Sequence, residues 1–305
     1  MKLNILGNHP LGQPDPFIYK DNNIYYIITS GVEGVHCYKS NKLDGDYVYV
    51  GIVFKMPGYH EYWAPSVIKI EDTFYMYVSC RKENEEDPHL ETMMVATCKT
   101  ADGIYQVANK KLIKPFSIDS HPVLNNSGLY LFYSLNNYKA KKAGTRIVVD
   151  KLVNPLMMEK KPRVKVNPSI EQEIFMKNRF KENQDWYTIE GACYFRVGDY
   201  HYLLYSANCY QSPYYFVNYA YAKSSEDDIR KIRFKKYPNS KIYKPLLATN
   251  EFETSTGHNS IIYENGNYYI IYHGREKNEV DFVGENRTMR IAKLIIDKEK
   301  LKIER

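Results

Sequence analysis

Cysteine, tryptophan and long apolar runs are all scarce in this chain, and each scarcity narrows what it can be. The five cysteines (Cys37, Cys80, Cys98, Cys193, Cys209) are odd in number and far apart, with no CxxC pair. Neither a disulfide framework nor a zinc site follows from such spacing. No window approaches about 18 consecutive apolar residues, so no membrane span is expected; the mean hydropathy is -0.54. The first ten residues, Met1 to Pro10, meet polar groups and a proline before a signal core could form, which points to a cytoplasmic protein. Linkers rich in Gly, Ser or Pro are lacking too, so a single domain over residues 1–305 is expected. Helical signal is weak. Only Ser225-EDDIRKIRF carries an N-cap and an acidic first turn, and it is short.

Charge of one sign is also not concentrated. The net charge is +6, and the excess comes from scattered lysines such as Lys139, Lys141, Lys142, Lys235 and Lys236, interleaved with acids. That pattern reads as a solvated face rather than a nucleic-acid partner site. With 26% charged and 44% hydrophobic residues, the composition is that of a globular protein.

Tyrosine is what the chain has in excess: 30 residues, with 12 Phe and only 2 Trp. Tyr favours strands and ligand-facing surfaces. The tyrosines fall in a repeated shape, an apolar run, a polar turn and an aromatic strand that ends in Ser or His. It occurs as Asp15-PFIYKDNNIYYIITS, Ala64-PSVIKIEDTFYMYVS, Asp119-SHPVLNNSGLYLFYS, Glu190-GACYFRVGDYHYLLYS and His258-NSIIYENGNYYIIYH. The second strands begin at Tyr25, Phe74, Leu129, His201 and Tyr268, at intervals of 49, 55, 72 and 67 residues. Each unit is a hairpin with a short Asn/Asp/Gly turn. Further strand-like stretches, Val48-YVGIVF and Met93-MVATCK, lie between units. About four strands per unit, repeated five times, predict an all-β, five-bladed β-propeller. A β-sandwich is the rival, but it would not repeat one internal hairpin. Met289-RIAKLIID suits a last strand that closes the ring.

In a propeller the starts of the first strands converge on the central axis. Asp15, Ala64, Asp119 and His258 each lie ten residues before their second strands, and Glu190 eleven. Four of five units thus place an ionisable residue at the cavity. One alone would be an ordinary turn residue, Asp before Pro or Ser; the set in phase points to a shared site, because charges are rarely buried without a partner or a role. Three carboxylates around a hollow suit acid/base cleavage of a glycosidic bond, in which one group protonates the leaving oxygen and another activates water. The third can raise the acid's pKa by like-charge repulsion. A carboxylate-only metal site would want more oxygen ligands or a close His pair, neither of which is evident. Trp63 and Trp186 fall close to unit starts and are candidates to stack on a sugar ring, with Tyr62 beside the first; a half-buried core role is the alternative for each. His60 and His121 suit rim or core equally well. Met93-Met94 and Met157-Met158 read as core.

Gln13-PDPFI with IYYIITS, Tyr62-WAPSV, Ile118-DSH, Ile189-EGA, Gly257-HNS and Tyr272-HGR, in that order, resemble glycoside hydrolase family 43, the family of arabinanases, α-L-arabinofuranosidases and β-xylosidases. The resemblance runs from about residue 13 to 297. It implies a five-bladed propeller and an inverting mechanism, with roughly 6.5–9.5 Å between base and acid. It implies Asp15 as general base, Glu190 as general acid and Asp119 as the group that tunes and orients Glu190. His258 would lie near the axis, where some relatives hold a calcium or other ion; no cofactor is otherwise implied. Arg290 would contact substrate, with Arg287 the competing choice. Departures are Ala192 where the family usually has Pro after Glu-Gly, Asn125-Asn126-Ser127-Gly128 where many relatives have an acidic turn, and the lack of a second sandwich domain, which makes a xylosidase less expected. The expected substrate is a small arabinose- or xylose-containing oligosaccharide, with α-L-arabinofuranosidase leading and β-xylosidase next. A non-catalytic carbohydrate-binding propeller is the alternative of another class; it would be expected to lack one of the three acids. A retaining fructoside enzyme would open on Asn-Asp-Pro-Asn and carry Glu-Cys, and this chain has neither.

Overall fold

The computed structural model describes all residues, 1–305. Short polar turns fold the chain back on itself: Asn22-Asn23 and Asn265-Gly266 both take positive φ at each position, the geometry of a two-residue hairpin turn whose twist matches its strands. The result is five sheets in chain order. The first holds Phe17–Asp21, Ile24–Thr29, Val35–Ser40 and Tyr47–Phe54, with the short Ile5–Leu6 added in parallel at its outer edge. The second runs Tyr59–Ile70, Thr73–Lys82, Thr92–Cys98, Gln106–Ile113. The third begins Ile118–Asn125, Gly128–Asn137, Gly144–Asn154 and is enlarged to seven strands, including a hairpin of Ile174–Lys181 and Gln184–Tyr187. The fourth runs Ile189–Val197, Tyr200–Ala207, Phe216–Lys223, Lys235–Lys236, and the fifth Glu253–Glu264, Asn267–Glu276, Thr288–Asp297, Lys300–Glu304.

Each sheet is sandwiched between two others, so its second strand is apolar on both faces. Ile28 packs towards the second sheet, while Ile27 packs towards the fifth. Leu204 faces the fifth sheet and Leu203 the third. Five apolar cores result, each shared by two sheets consecutive in the cycle, including one between the fifth and the first. The innermost strands touch in the same cyclic order. The arrangement is all-β and propeller-like, and its second strands begin one residue before the starts read from the sequence.

Three expectations fail. Thr288–Asp297 is the third strand of its sheet, and Lys300–Glu304 lies outside it. The ring is closed instead by the first residues, whose Leu3 N–H donates to Met289 O (2.9 Å) while Ile291 N–H donates to Met1 O (2.8 Å). Ser225 to Phe234 forms no helix; the only helical turns are Pro88–Leu90 and Glu171–Glu173. Met157 is 47% exposed, whereas Met93, Met94 and Met158 are buried.

Candidate active site

Each inner strand, or the residue pair leading into it, includes a residue with left-handed backbone. Asp15, Ala64, Asp119, Gly191 and His258 have φ of 54, 41, 60, 64 and 31°, each nine residues ahead of the second strand of its sheet. This conformation is uncommon without glycine, and it persists where surrounding bonds over-determine it. Those bonds come from the preceding sheet. Ala64 N–H donates to Ser30 Oγ (2.7 Å), His258 N–H to Ser206 Oγ (2.8 Å) and Asp15 N–H to His273 Nδ1 (3.1 Å). Here lies the reason for the Ser or His that ends three of the repeats, at Ser30, Ser206 and His273. In the fourth sheet the left-handed position is Gly191, not Glu190, so the sequence alignment of four ionisable residues at one place is corrected to three, with Glu190 one step ahead. Gly191 N–H donates to Asp119 Oδ2 (3.0 Å), so the carboxylate of the third sheet fixes the backbone beside Glu190.

Asp15, Asp119, Glu190 and His258 line one cavity of about 830 Å³, together with Trp63, Arg287, Tyr210 and Tyr215. Asp15 accepts from Ser30 Oγ at Oδ2 (2.6 Å), while Arg287 Nη1 lies 3.3 Å and His258 Nδ1 3.5 Å from Oδ1. Burial alone would raise its pKa, but Arg287, then His258, outweigh burial and hold the carboxyl well below the usual range. His273 is fully buried, which pushes it down to about 4 and leaves it neutral near pH 7. Its Nδ1 is therefore free to accept from the Asp15 backbone.

Glu190 is displaced in the opposite direction. Burial, then repulsion from Asp119, raise its pKa well above the ordinary carboxyl value, and the hydrogen bond that Tyr215 donates to Oε1 (2.7 Å) only partly opposes them. Burial also raises Asp119, yet this group accepts from Gly191 N–H and from Ser134 Oγ (3.4 Å). Those bonds favour its charged form, so the proton of the pair resides on Glu190. Tyr215 is positioned by close packing: its ring stacks on His273 at 5.8 Å, and a Cβ on Gly257 would come within 1.8 Å of its Cε1. One cavity therefore presents an ionised carboxylate and a protonated carboxyl, the pair that acid/base chemistry needs.

The remaining sequence candidates divide. Trp63 lines the cavity, its Nε1 donating to Glu61 Oε2 (2.9 Å) under the Arg81 guanidinium. Tyr62 does not: it is fully buried between the first two sheets, where its hydroxyl bonds Met56 and Tyr59 backbone. Trp186 is 3% exposed and packs among Tyr138 and Phe180, away from the cavity lining. Arg290 is buried against Glu253 and Glu276, and it is Arg287 that reaches the cavity. His121 is a core group whose Nε2 bonds Tyr194 O (3.1 Å), with burial lowering it to about 4. Tyr215 and His273 are the groups that sequence reasoning missed as contacts of the carboxylates.

His258 was also the expected contact for an ion. Calcium takes six or more oxygen ligands, by a rule of about 6–8. His258 instead faces Asp15, which is already occupied by Arg287, and no group of three or more His, Cys, Asp or Glu side chains is arranged to hold a metal ion. These residues do not fit such an ion.

The sequence profile of glycosyl hydrolases family 43 matches residues 9–300. The chain belongs to this family. As a family 43 member it is a glycoside hydrolase. It is similar in fold to a thermostable family-43 glycoside hydrolase (TM-score 0.79, 24% identity, covering 96% of this chain and 93% of that one). The α-L-arabinofuranosidase from Lactobacillus brevis superposes with a TM-score of 0.77 at 18% identity over 96% of this chain and 94% of that one. An endo-1,4-beta-xylanase from Bacteroides thetaiotaomicron VPI-5482 gives 0.76 at 22% identity, again over 96% and 94%. No curated protein matches the sequence. The activities of these family 43 neighbours differ, so the fold they share leaves the sugar open.

Proposed function

We propose that this family 43 member is an inverting glycosidase that removes arabinose or xylose from short oligosaccharides, with α-L-arabinofuranosidase as the leading activity. Its five sheets serve as the blades of one five-bladed catalytic propeller. Asp15 takes a proton from water as the oxygen attacks the anomeric carbon; Glu190 gives its proton to the leaving oxygen as that bond breaks. Asp119 holds the proton on Glu190 until it is needed and orients it through Gly191. The observation that carries the reading is the opposite displacement of Asp15 and Glu190 within one cavity. Both proton transfers are then supplied by side chains, and the reaction needs no cofactor. A cytoplasmic enzyme of this kind would act on imported oligosaccharides rather than polymer.

A panel of aryl α-L-arabinofuranoside, β-xyloside and β-galactoside, with arabinan and xylan oligomers, tests it. Hydrolysis of the arabinofuranoside with first release of the inverted sugar, read by proton NMR, supports the reading. Retention of configuration, or cleavage of the galactoside alone, overturns it. Glu190→Gln should cut turnover of oligomers by about 10²–10⁴-fold, the usual range for a lost proton donor, and far less on aryl glycosides whose leaving group needs no proton.

A further inference from the structure

The third sheet carries more than its repeat requires. Beyond Gly144–Asn154 it adds the hairpin of Ile174–Lys181 and Gln184–Tyr187, docked where a side chain on Gly144 would strike Tyr187 O. Trp186 is the buried base of this hairpin, and around it stand Tyr138 and Phe180 with ring centroids 5.0 Å away. His89 closes on Phe180 at 5.6 Å, and the Arg179 guanidinium lies 5.0 Å over the Phe180 ring. Packing of this kind fixes the rings, yet Tyr138 and Phe180 remain 51% and 52% exposed. A rigid aromatic surface left open to solvent marks a place of contact.

Its location says with what. Glu86 and Pro88 line the cavity immediately before His89 in the chain. The second strand of the hairpin, Gln184–Tyr187, ends three residues before Glu190 in the chain. A group that protonates the leaving oxygen must stand beside it, so the sugars beyond the scissile bond lie on the Glu190 side of the cavity, the side whose chain leads back to this hairpin. At about 830 Å³ the cavity is at the large end of the range for ligand pockets, with room for more than one sugar ring.

We propose that Tyr138 and Phe180, braced on Trp186, form a binding surface for the sugars on the leaving-group side of a neutral oligosaccharide. The proposal rests on the assignment of Glu190 as the acid. The occupant is a saccharide rather than a peptide or lipid because the surface adjoins the catalytic cavity: Pro88 lines the cavity, and the next residue, His89, packs on Phe180 (5.6 Å) and Tyr138 (6.3 Å). The enzyme thereby selects substrates by length beyond the sugar it removes.

The test is the ratio of kcat/KM for a pentasaccharide to that for a disaccharide of the sugar the enzyme hydrolyses, in the wild type, Phe180→Leu, Phe180→Tyr and Tyr138→Ala. Wild type should favour the longer chain. Phe180→Leu and Tyr138→Ala should lower the ratio about tenfold, the change given by about 1.4 kcal/mol, through KM rather than kcat. Phe180→Tyr, which keeps the ring, should restore it. A ratio unchanged in all variants, or one that falls equally in Phe180→Tyr, overturns this proposal and leaves the assignment of Glu190 standing. A wild type that hydrolyses no disaccharide, pentasaccharide or aryl glycoside overturns both.

Discussion

Replacing Arg287 by Gln removes the strongest cation acting on Asp15, and the pH profile should report it. Opposite unit charges at the observed 3.3 Å attract by about 5 kcal/mol at an effective dielectric of about 20. At about 1.36 kcal/mol per pKa unit, that is worth roughly 3.7 units on the carboxyl. In the wild type the cations hold Asp15 well below the carboxylate range, so the acid limb of kcat/KM should lie below it too. In Arg287→Gln, burial acts with less opposition and the limb should rise into the ordinary carboxylate range near about 4 or above it. Arg287→Lys keeps the charge and should recover most of the wild-type profile. The assay is kcat/KM on an aryl glycoside between about pH 3 and pH 9, where the limbs report the free enzyme's base and acid. Loss of a sugar contact would lower the whole curve without moving the limb. Coincident acid limbs in wild type and Arg287→Gln would refute Asp15 as the base.

Two perturbations of Glu190 should move the alkaline limb in opposite directions. Tyr215→Phe removes a hydrogen bond to the charged carboxylate and should shift that limb upward; Asp119→Asn removes a repelling charge and should shift it downward. Shifts of the same sign in both would contradict the assignment. Gly257→Ala places a methyl group where the Tyr215 ring now lies. It should reproduce the Tyr215→Phe profile, or exceed it in lost kcat, and wild-type kinetics in this variant would show that Tyr215 is not held there.

The repeat was legible because a sheet pressed between two others needs apolar side chains on both faces of its second strand, as Ile27 and Ile28 show. A sandwich would not repeat one internal hairpin five times along the chain. The acids were legible for a related reason: nothing about packing asks for Asp15 or Asp119 at a strand start. What misled was phase. Glu190 was grouped with Asp15 although it lies eleven residues, not ten, ahead of its second strand, and the backbone shows what that extra residue means: the left-handed position is Gly191. The arginines failed similarly. Arg287 and Arg290 are three residues apart, and which one faces the cavity depends on where Thr288–Asp297 begins pairing. Trp186 was misplaced because the hairpin that buries it belongs to no repeat, and Tyr62 because a hydroxyl can satisfy its bonds on nearby backbone. Tyr215 left one sequence trace, the glycine at position 257 that makes room for it.

The strap at the beginning of the chain has a consequence for how the protein is made. Met1 and Ile291 are bonded partners separated by 290 positions, so the circle stays open until Ile291 has been synthesised. Contacts of such long sequence separation slow folding, since loop entropy is lost before they form. Once latched, the first residues cannot peel away without breaking the seam between the first sheet and the last.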